Sequence, residues 1–156
     1  MDRFKLEDFI KELEEKEIRY ILIGGQAVTL YGSPLFSFDF DFWVDPVQKK
    51  TFFAIANSWD FEYDEDSKNK PMIIFYAEEE KIDVFFAKRM ATKKDRSITF
   101  EDCYQRARIL EDPTGFIVRV PNIDDLITLK NCKKRPSAKD LEDIEYLRII
   151  KAKNIT

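Results

Sequence analysis

Residues 36–44 read Phe-Ser-Phe-Asp-Phe-Asp-Phe-Trp-Val, and this stretch constrains the fold more than any other. Side chains alternate across a strand with period two. Phe36, Phe38, Phe40, Phe42 and Val44 therefore share one face, and Ser37, Asp39, Asp41, Trp43 and Asp45 share the other. The phenylalanine face must be covered. The opposite face sets two carboxylates at neighbouring positions. Ionised carboxylates that close repel, and raise each other's pKa, unless a cation sits between them. The reading is a magnesium site that handles a nucleotide. Taken alone, the two acids could equally be the solvent face of an ordinary strand.

Upstream, Tyr20–Ile23 is a short apolar run of the kind a buried strand shows, and Gly24-Gly25 ends it. Residues 26–30 start a helix, whose free N–H groups and dipole favour an anion. Two glycines there suit either a plain turn or the close approach of a phosphate to the backbone. Gly32-Ser33-Pro34 breaks the helix. The first helix is carried by Leu6, Phe9, Ile10 and Leu13 at i, i+3, i+4, i+7 spacing, with Asp2 as its N-cap.

Downstream, residues 49–57 read as a helix and 61–66 as strand then loop. Residues 72–76 and 82–86 read as a hairpin around Glu78-Glu79-Glu80. Asp83 interrupts the second of these strands. Strand interiors are depleted in Asp, so Asp83 is either the polar face of an edge strand or a third carboxylate facing Asp39 and Asp41. Residues 99–107 are mixed, helical or irregular. Residues 108–110 and 116–120 flank the turn sequence Asp112-Pro113-Thr114-Gly115 and predict a second hairpin. Asn122 with Asp125, and Ser137 with Asp140, have the spacing of capping boxes that open two final helices. In the last, 138–150, the expected inward residues are Leu141, Ile144, Leu147 and Ile150.

Composition removes several classes of chemistry. The chain has no histidine, which excludes a His general base, a His-dependent triad and the usual zinc ligands. Cys103 and Cys132 stand far apart, without CxxC spacing. Catalysis must then run on carboxylates, Lys, Tyr, Ser or Cys. A net charge of −4 argues against generic nucleic-acid binding. Positive charge is clustered at Lys88, Arg89, Lys93, Lys94 and Arg96, and again at Lys130, Lys133, Lys134, Arg135 and Lys139; taken alone, such runs are solvated faces. No apolar run has the length of a membrane span, and the charged N-terminus lacks a signal-peptide core. The expectation is one cytoplasmic domain over residues 1–156, with 121–150 as its C-terminal helical part.

Gly24, Gly25, Ala27, Tyr31, Gly32, Asp39 and Asp41 together resemble the "GG-x-A…YG…D-x-D" pattern of the DNA polymerase β-type nucleotidyltransferase superfamily. The likeness is to its small branch, which includes toxin-type nucleotidyltransferases of abortive-infection toxin–antitoxin systems. Asp125, Leu126, Ile127, Lys130, Arg135, Lys139, Asp140 and Asp143 resemble that branch's C-terminal tail. Ser37 stands for the usual Thr, Phe40 for Ile, and Leu35 for Arg, which removes one phosphate or acceptor contact. The resemblance implies an α/β (α+β) fold, a mixed β-sheet flanked by helices. It implies transfer of a nucleoside monophosphate from an NTP to an acceptor hydroxyl with Mg2+, or Mn2+ in its place. Asp39 and Asp41 would bridge two ions, and Asp83 would hold the ion that acidifies the acceptor hydroxyl. Gly24 and Gly25 would cradle the triphosphate. Ser37 would orient a phosphate or hold its loop. Lys130 and Lys139 are either triphosphate or acceptor contacts or surface lysines. The implied partners are an NTP, an acceptor that is an RNA (a tRNA end), a protein side chain or a small alcohol, and an antitoxin, with no membrane. The competing reading, favoured by Leu35, is a catalytically degenerate binding or regulatory module.

Overall fold

A buried strand, a glycine pair and an alternating strand in close succession predict a sheet with helices laid on it, and the computed structural model has this arrangement. It describes residues 4–33, 39–92, 96–111, 115–132 and 136–153. Helix α1 (Leu6–Glu15) buries Phe9, Ile10 and Leu13. Its N-cap position is Lys5, which makes no side-chain cap bond, so the expected cap moves; Asp2 lies outside the described residues. Strand β1 (Tyr20–Ile23) leads directly into α2 (Gly24–Leu30). The glycine pair is thus the first turn of the helix rather than a turn ahead of it.

Strand β2 (Phe40–Val44), a 3-10 turn (Pro46–Gln48) and α3 (Lys49–Ser58) follow. Strands β3 (Met72–Ala77) and β4 (Glu80–Phe85) form the hairpin, with Glu80 inside β4, so the loop is shorter than expected. The sheet order is β1-β2-β4-β3. The pair β2–β4 is parallel and the other two pairs are antiparallel. Parallel neighbours need a long crossover, here supplied by α3 and β3. In the region read as strand then loop, Glu62 makes only an isolated bridge to Tyr76 before a 3-10 turn, Glu65–Ser67.

Two ribbons and three helices complete the chain. A short ribbon, β5 (Arg89–Ala91) with β6 (Ser97–Thr99), was not legible from the residue pattern. Of the first basic cluster, Arg89 lies in β5, Lys88 and Arg96 flank the strands, and Lys93 and Lys94 lie outside the described residues. Helix α4 (Phe100–Arg106) follows, then the expected hairpin of β7 (Arg108–Glu111) and β8 (Ile117–Val120). Helices α5 (Ile123–Lys130) and α6 (Ala138–Lys153) close the fold. No helix among the described residues is long and apolar enough to cross a membrane.

Of the expected phenylalanine face, Phe42 and Val44 are buried and Phe40 is half-buried, while Phe36 and Phe38 lie outside the described residues. Phe42 lies edge-on to Phe9 with centroids 5.7 Å apart, and Phe9 meets Phe52 at 5.9 Å, geometries that aromatic quadrupoles favour. The aspartate face is not a solvent face. Trp43 is fully buried there with Ile21, Ile23, Ile98, Phe100 and Cys103, and its indole N–H donates to the Ala87 carbonyl at 2.8 Å. Residues of β6 and α4 therefore cover the Trp43 end of this face, while Asp41, two residues back along the strand, lines an open cleft.

Candidate active site

Register places the two central carboxylates. In the parallel β2–β4 pair, Asp41 stands opposite Asp83, flanked by Phe40 opposite Ile82 and Phe42 opposite Val84. A slip of one residue would turn both acids into the phenylalanine core, so burial of the hydrophobic set fixes the pairing of the acids. On its other side Asp41 faces Ile23 of β1. Gly24 comes next, at φ +75°. A Cβ built there would overlap Asp41 Oδ2 and stand 3.0 Å from Asp41 Cγ. Only glycine supplies both that backbone angle and that space.

The electrostatics follow from this crowding. Burial, then the charge of Asp83, then that of Asp39, push the Asp41 carboxyl up to about 7, with Lys130 acting in the opposite direction. A proton shared between the facing Asp41 and Asp83 carboxyls would relieve their repulsion and adds to the same upward push. Asp83 Oδ1 is buried without a hydrogen bond, its nearest cation being Lys81 Nζ at 3.6 Å. Asp39 is exposed at the entrance to β2. Among the described residues no three His, Cys, Asp or Glu side chains form a ready-made metal-binding group. The structure pairs Asp41 with Asp83, while Asp39, whose charge is felt at Asp41, does not join them in a group of three. A close pair of oxygen donors, one oxygen without a hydrogen bond and a proton held at neutral pH, fits a hard divalent cation in place of the proton.

These carboxylates open onto a cleft of about 270 Å³. Its apolar wall includes Ile23, Phe85, Met90, Leu126 and Leu129. Met90 is the contribution of β5 that sequence reading missed. Opposite the sheet, α5 and α6 supply Lys130 and Asp140. Lys130 Nζ lies 3.3 Å from Asp140 Oδ1 and 2.9 Å from Asp143 Oδ2. The Ser137 box is formed in both directions: Asp140 N donates to Ser137 Oγ at 3.1 Å, and Ser137 N to Asp140 Oδ2 at 3.0 Å. In the other box Asn122 Oδ1 accepts from Asp125 N at 2.7 Å, but the Asp125 carboxylate turns to Arg106 in a two-pronged pair at 2.9 and 3.0 Å. Lys139 is exposed and does not line the cleft. Gly25 is buried and, unlike Gly24, does not line the cleft. Ser37, Leu35 and Arg135 lie outside the described residues. The Gly32 carbonyl accepts from Tyr146 OH at 2.6 Å.

The inward face of α6 corrects an expectation. Leu141 is 56% exposed, whereas Asp140, Asp143, Ile144 and Leu147 are buried. Those four residues have i, i+3, i+4, i+7 spacing, the period of one helix face. The signal was present, but two of its members are acids.

The mixed sheet and its flanking helices match known folds. The chain aligns with the crystal structure of the lincosamide antibiotic adenylyltransferase LnuA, lincomycin-bound, at a TM-score of 0.70 and 15% identity, covering 96% of this chain and 99% of that one. It aligns with ANT(2'')-Ia in complex with adenylyl-2''-tobramycin at a TM-score of 0.61 and 14% identity, covering 93% and 91%. At such identities the likeness is one of fold. No curated protein matches the sequence. Fold and site together define an enzyme of the nucleotidyltransferase class. The chain belongs to the family described as nucleotidyl transferase of unknown function (DUF2204), whose model matches residues 3–156.

Proposed function

We propose that the protein moves a nucleoside monophosphate from an NTP to the hydroxyl of an acceptor, using a divalent cation held by Asp41 and Asp83, with Asp39 at the open side. The observation that carries this reading is the in-register Asp41–Asp83 pair facing the cleft beside Gly24. When bound, magnesium or manganese neutralises the phosphates and acidifies the attacking hydroxyl. The chain's own residues do the rest. Gly24 and Gly25 let the triphosphate approach the backbone closely. Lys130 meets its negative charge from the opposite wall. Asp83 Oδ1, with no hydrogen bond to lose, accepts the acceptor's proton. Positioning and charge neutralisation supply the rate.

The cleft favours a small hydroxyl-bearing acceptor with an apolar body, because most of the surface it exposes is apolar. LnuA and ANT(2'')-Ia, which carry this fold along most of the chain, are named for antibiotics. The exposed Lys88 and Arg89 favour a second reading, in which the acceptor is RNA such as a tRNA end and the protein is a toxin restrained by an antitoxin. Ser37, and Lys139 on the exposed side of α6, remain candidates for nucleotide contacts.

The test is incubation with each α-labelled NTP, magnesium, and separate pools of small metabolites, total RNA and protein. Label in the small-molecule pool that disappears in Asp41→Ala supports the first reading; label in RNA, with growth arrest on expression, supports the second. Absence of metal-dependent label from every pool, or its persistence in Asp41→Ala, overturns both.

A further inference from the structure

The mechanism above uses Lys130 but leaves the two buried acids that hold it, Asp140 and Asp143, without a stated purpose. Lys130 ends α5, and its side chain is 11% exposed; Asp140 and Asp143, one helical turn apart on α6, are 6% and 1% exposed. Taking three charged groups out of water is costly. A buried ion pair is often no better for stability than apolar residues of the same volume. The cluster's location offers a better reason for it. Lys130 and Asp140 form the wall of the cleft that faces Asp41 and Asp83, and the Lys130 charge is felt at Asp41.

The contacts leave the ammonium with spare capacity. Lys130 donates to Asp140 Oδ1 at 3.3 Å. Its 2.9 Å approach to Asp143 Oδ2 is an ion pair lying off the hydrogen-bonding direction. An ammonium has three N–H donors, so at least one is left for a group entering the cleft. Asp140 is itself fixed by the Ser137 box. The cation is thus braced by a rigid helix start.

We propose that Asp143, together with Asp140, is a positioning residue that holds the Lys130 ammonium at the cleft wall as the receptor for the polyphosphate of the nucleotide. This rests on the nucleotidyl-transfer reading for its ligand class. Neither aspartate touches the reacting atoms. They act through Lys130, so their effect must vanish once Lys130 is gone.

The experiment is calorimetric titration of inorganic tripolyphosphate, in EDTA, into wild type, Asp143→Asn, Lys130→Gln and the double variant, with Mn2+ affinity measured separately on the same proteins. Losing a charge-assisted contact predicts about a tenfold weaker tripolyphosphate affinity in Asp143→Asn, with Mn2+ affinity within about twofold of wild type. The double variant should bind no worse than Lys130→Gln alone, since the two changes remove one interaction. Unchanged tripolyphosphate affinity in Asp143→Asn, multiplying losses in the double variant, or no tripolyphosphate binding by wild type overturns the proposal. If Lys130→Gln does not fold, Asp143→Asn decides: a parallel loss of Mn2+ and tripolyphosphate means general distortion and overturns the proposal, whereas loss of tripolyphosphate alone supports it. Wild type that binds tripolyphosphate through Lys130 but transfers no label keeps this inference and loses the reading of function. Wild type that transfers label while Asp143→Asn binds normally does the reverse.

Discussion

Asp41 and Asp83 stand opposite each other across the parallel β2–β4 pair, and the charge of Asp83 pushes the Asp41 carboxyl up. Two acids this close are stable only with a proton or a cation between them. The fold holds them there because Phe42 and Val84, next along each strand, are wholly buried on the opposite face. The site is strained by charge and secured by hydrophobic packing.

Removing one charge should therefore stabilise the metal-free protein while destroying its function. Asp41→Asn is expected to raise the melting temperature at pH 8 by roughly 2–4 °C, the shift that about 1 kcal/mol gives in a chain of this size. It should also abolish label transfer from NTP. Thermal unfolding followed by circular dichroism checks the first part. A lower melting temperature would mean that the pair is not repulsive.

The pH dependence has a definite sign. Asp41 titrates near 7 in the folded protein, against an ordinary value of 3.8. A carboxyl raised on folding contributes stability that is complete below its ordinary value and lost as pH rises through the folded one. Metal-free protein should thus lose stability between about pH 4 and pH 7–8, and added magnesium should restore more of it at pH 8 than at pH 6. Melting curves across that range, with and without magnesium, test this; Asp41→Asn should flatten the metal-free curve.

Gly24 and Gly32 form an internal comparison. Both have positive φ, +75° and +111°, but a Cβ on Gly24 would overlap the Asp41 carboxylate while one on Gly32 would lie 3.6 Å from Tyr146 OH. Gly24→Ala should cost backbone strain of about 1–3 kcal/mol and also displace Asp41, removing activity. Gly32→Ala should cost only the strain. Equal residual activity in the two variants would show that Gly24 does not hold the carboxylate in place.

Much of this arrangement was legible in the sequence, because period-two alternation fixes which residues share a strand face whatever the tertiary context. The shared face of Asp41 and Asp83 was expected on that ground, whereas Asp39 stands exposed just before β2 rather than within it. The burial of Trp43 was not expected, since its cover comes from β6 and α4, which carry no alternation strong enough to announce them. On α6, hydrophobicity pointed to Leu141, but the helix turns Asp140 and Asp143 inward to meet Lys130 on α5. A pattern that counts only apolar residues cannot see a face that buries an ion pair. The glycine pair was located correctly but read as a turn, because its role depends on an aspartate seventeen residues later in the chain, Asp41.

The two cysteines offer a probe of the cleft. Cys103 is fully buried, and burial pushes its thiol up to about 12. Cys132 lines the cleft and is only partly covered. Thiolate is the reactive form, so a thiol reagent should modify Cys132 alone in native protein, and NTP with magnesium should slow that reaction several-fold. Mass spectrometry of the labelled peptides reads both. Equal labelling of the two cysteines, or no protection by nucleotide, would contradict the placement of the cleft.

The most direct test of the account is Mn2+ binding followed by electron paramagnetic resonance, on wild type and on Asp83→Asn, each with a non-hydrolysable NTP. The account predicts a bound-ion signal in wild type that weakens at least tenfold in affinity when Asp83 loses its charge. Wild-type affinity in Asp83→Asn would contradict it.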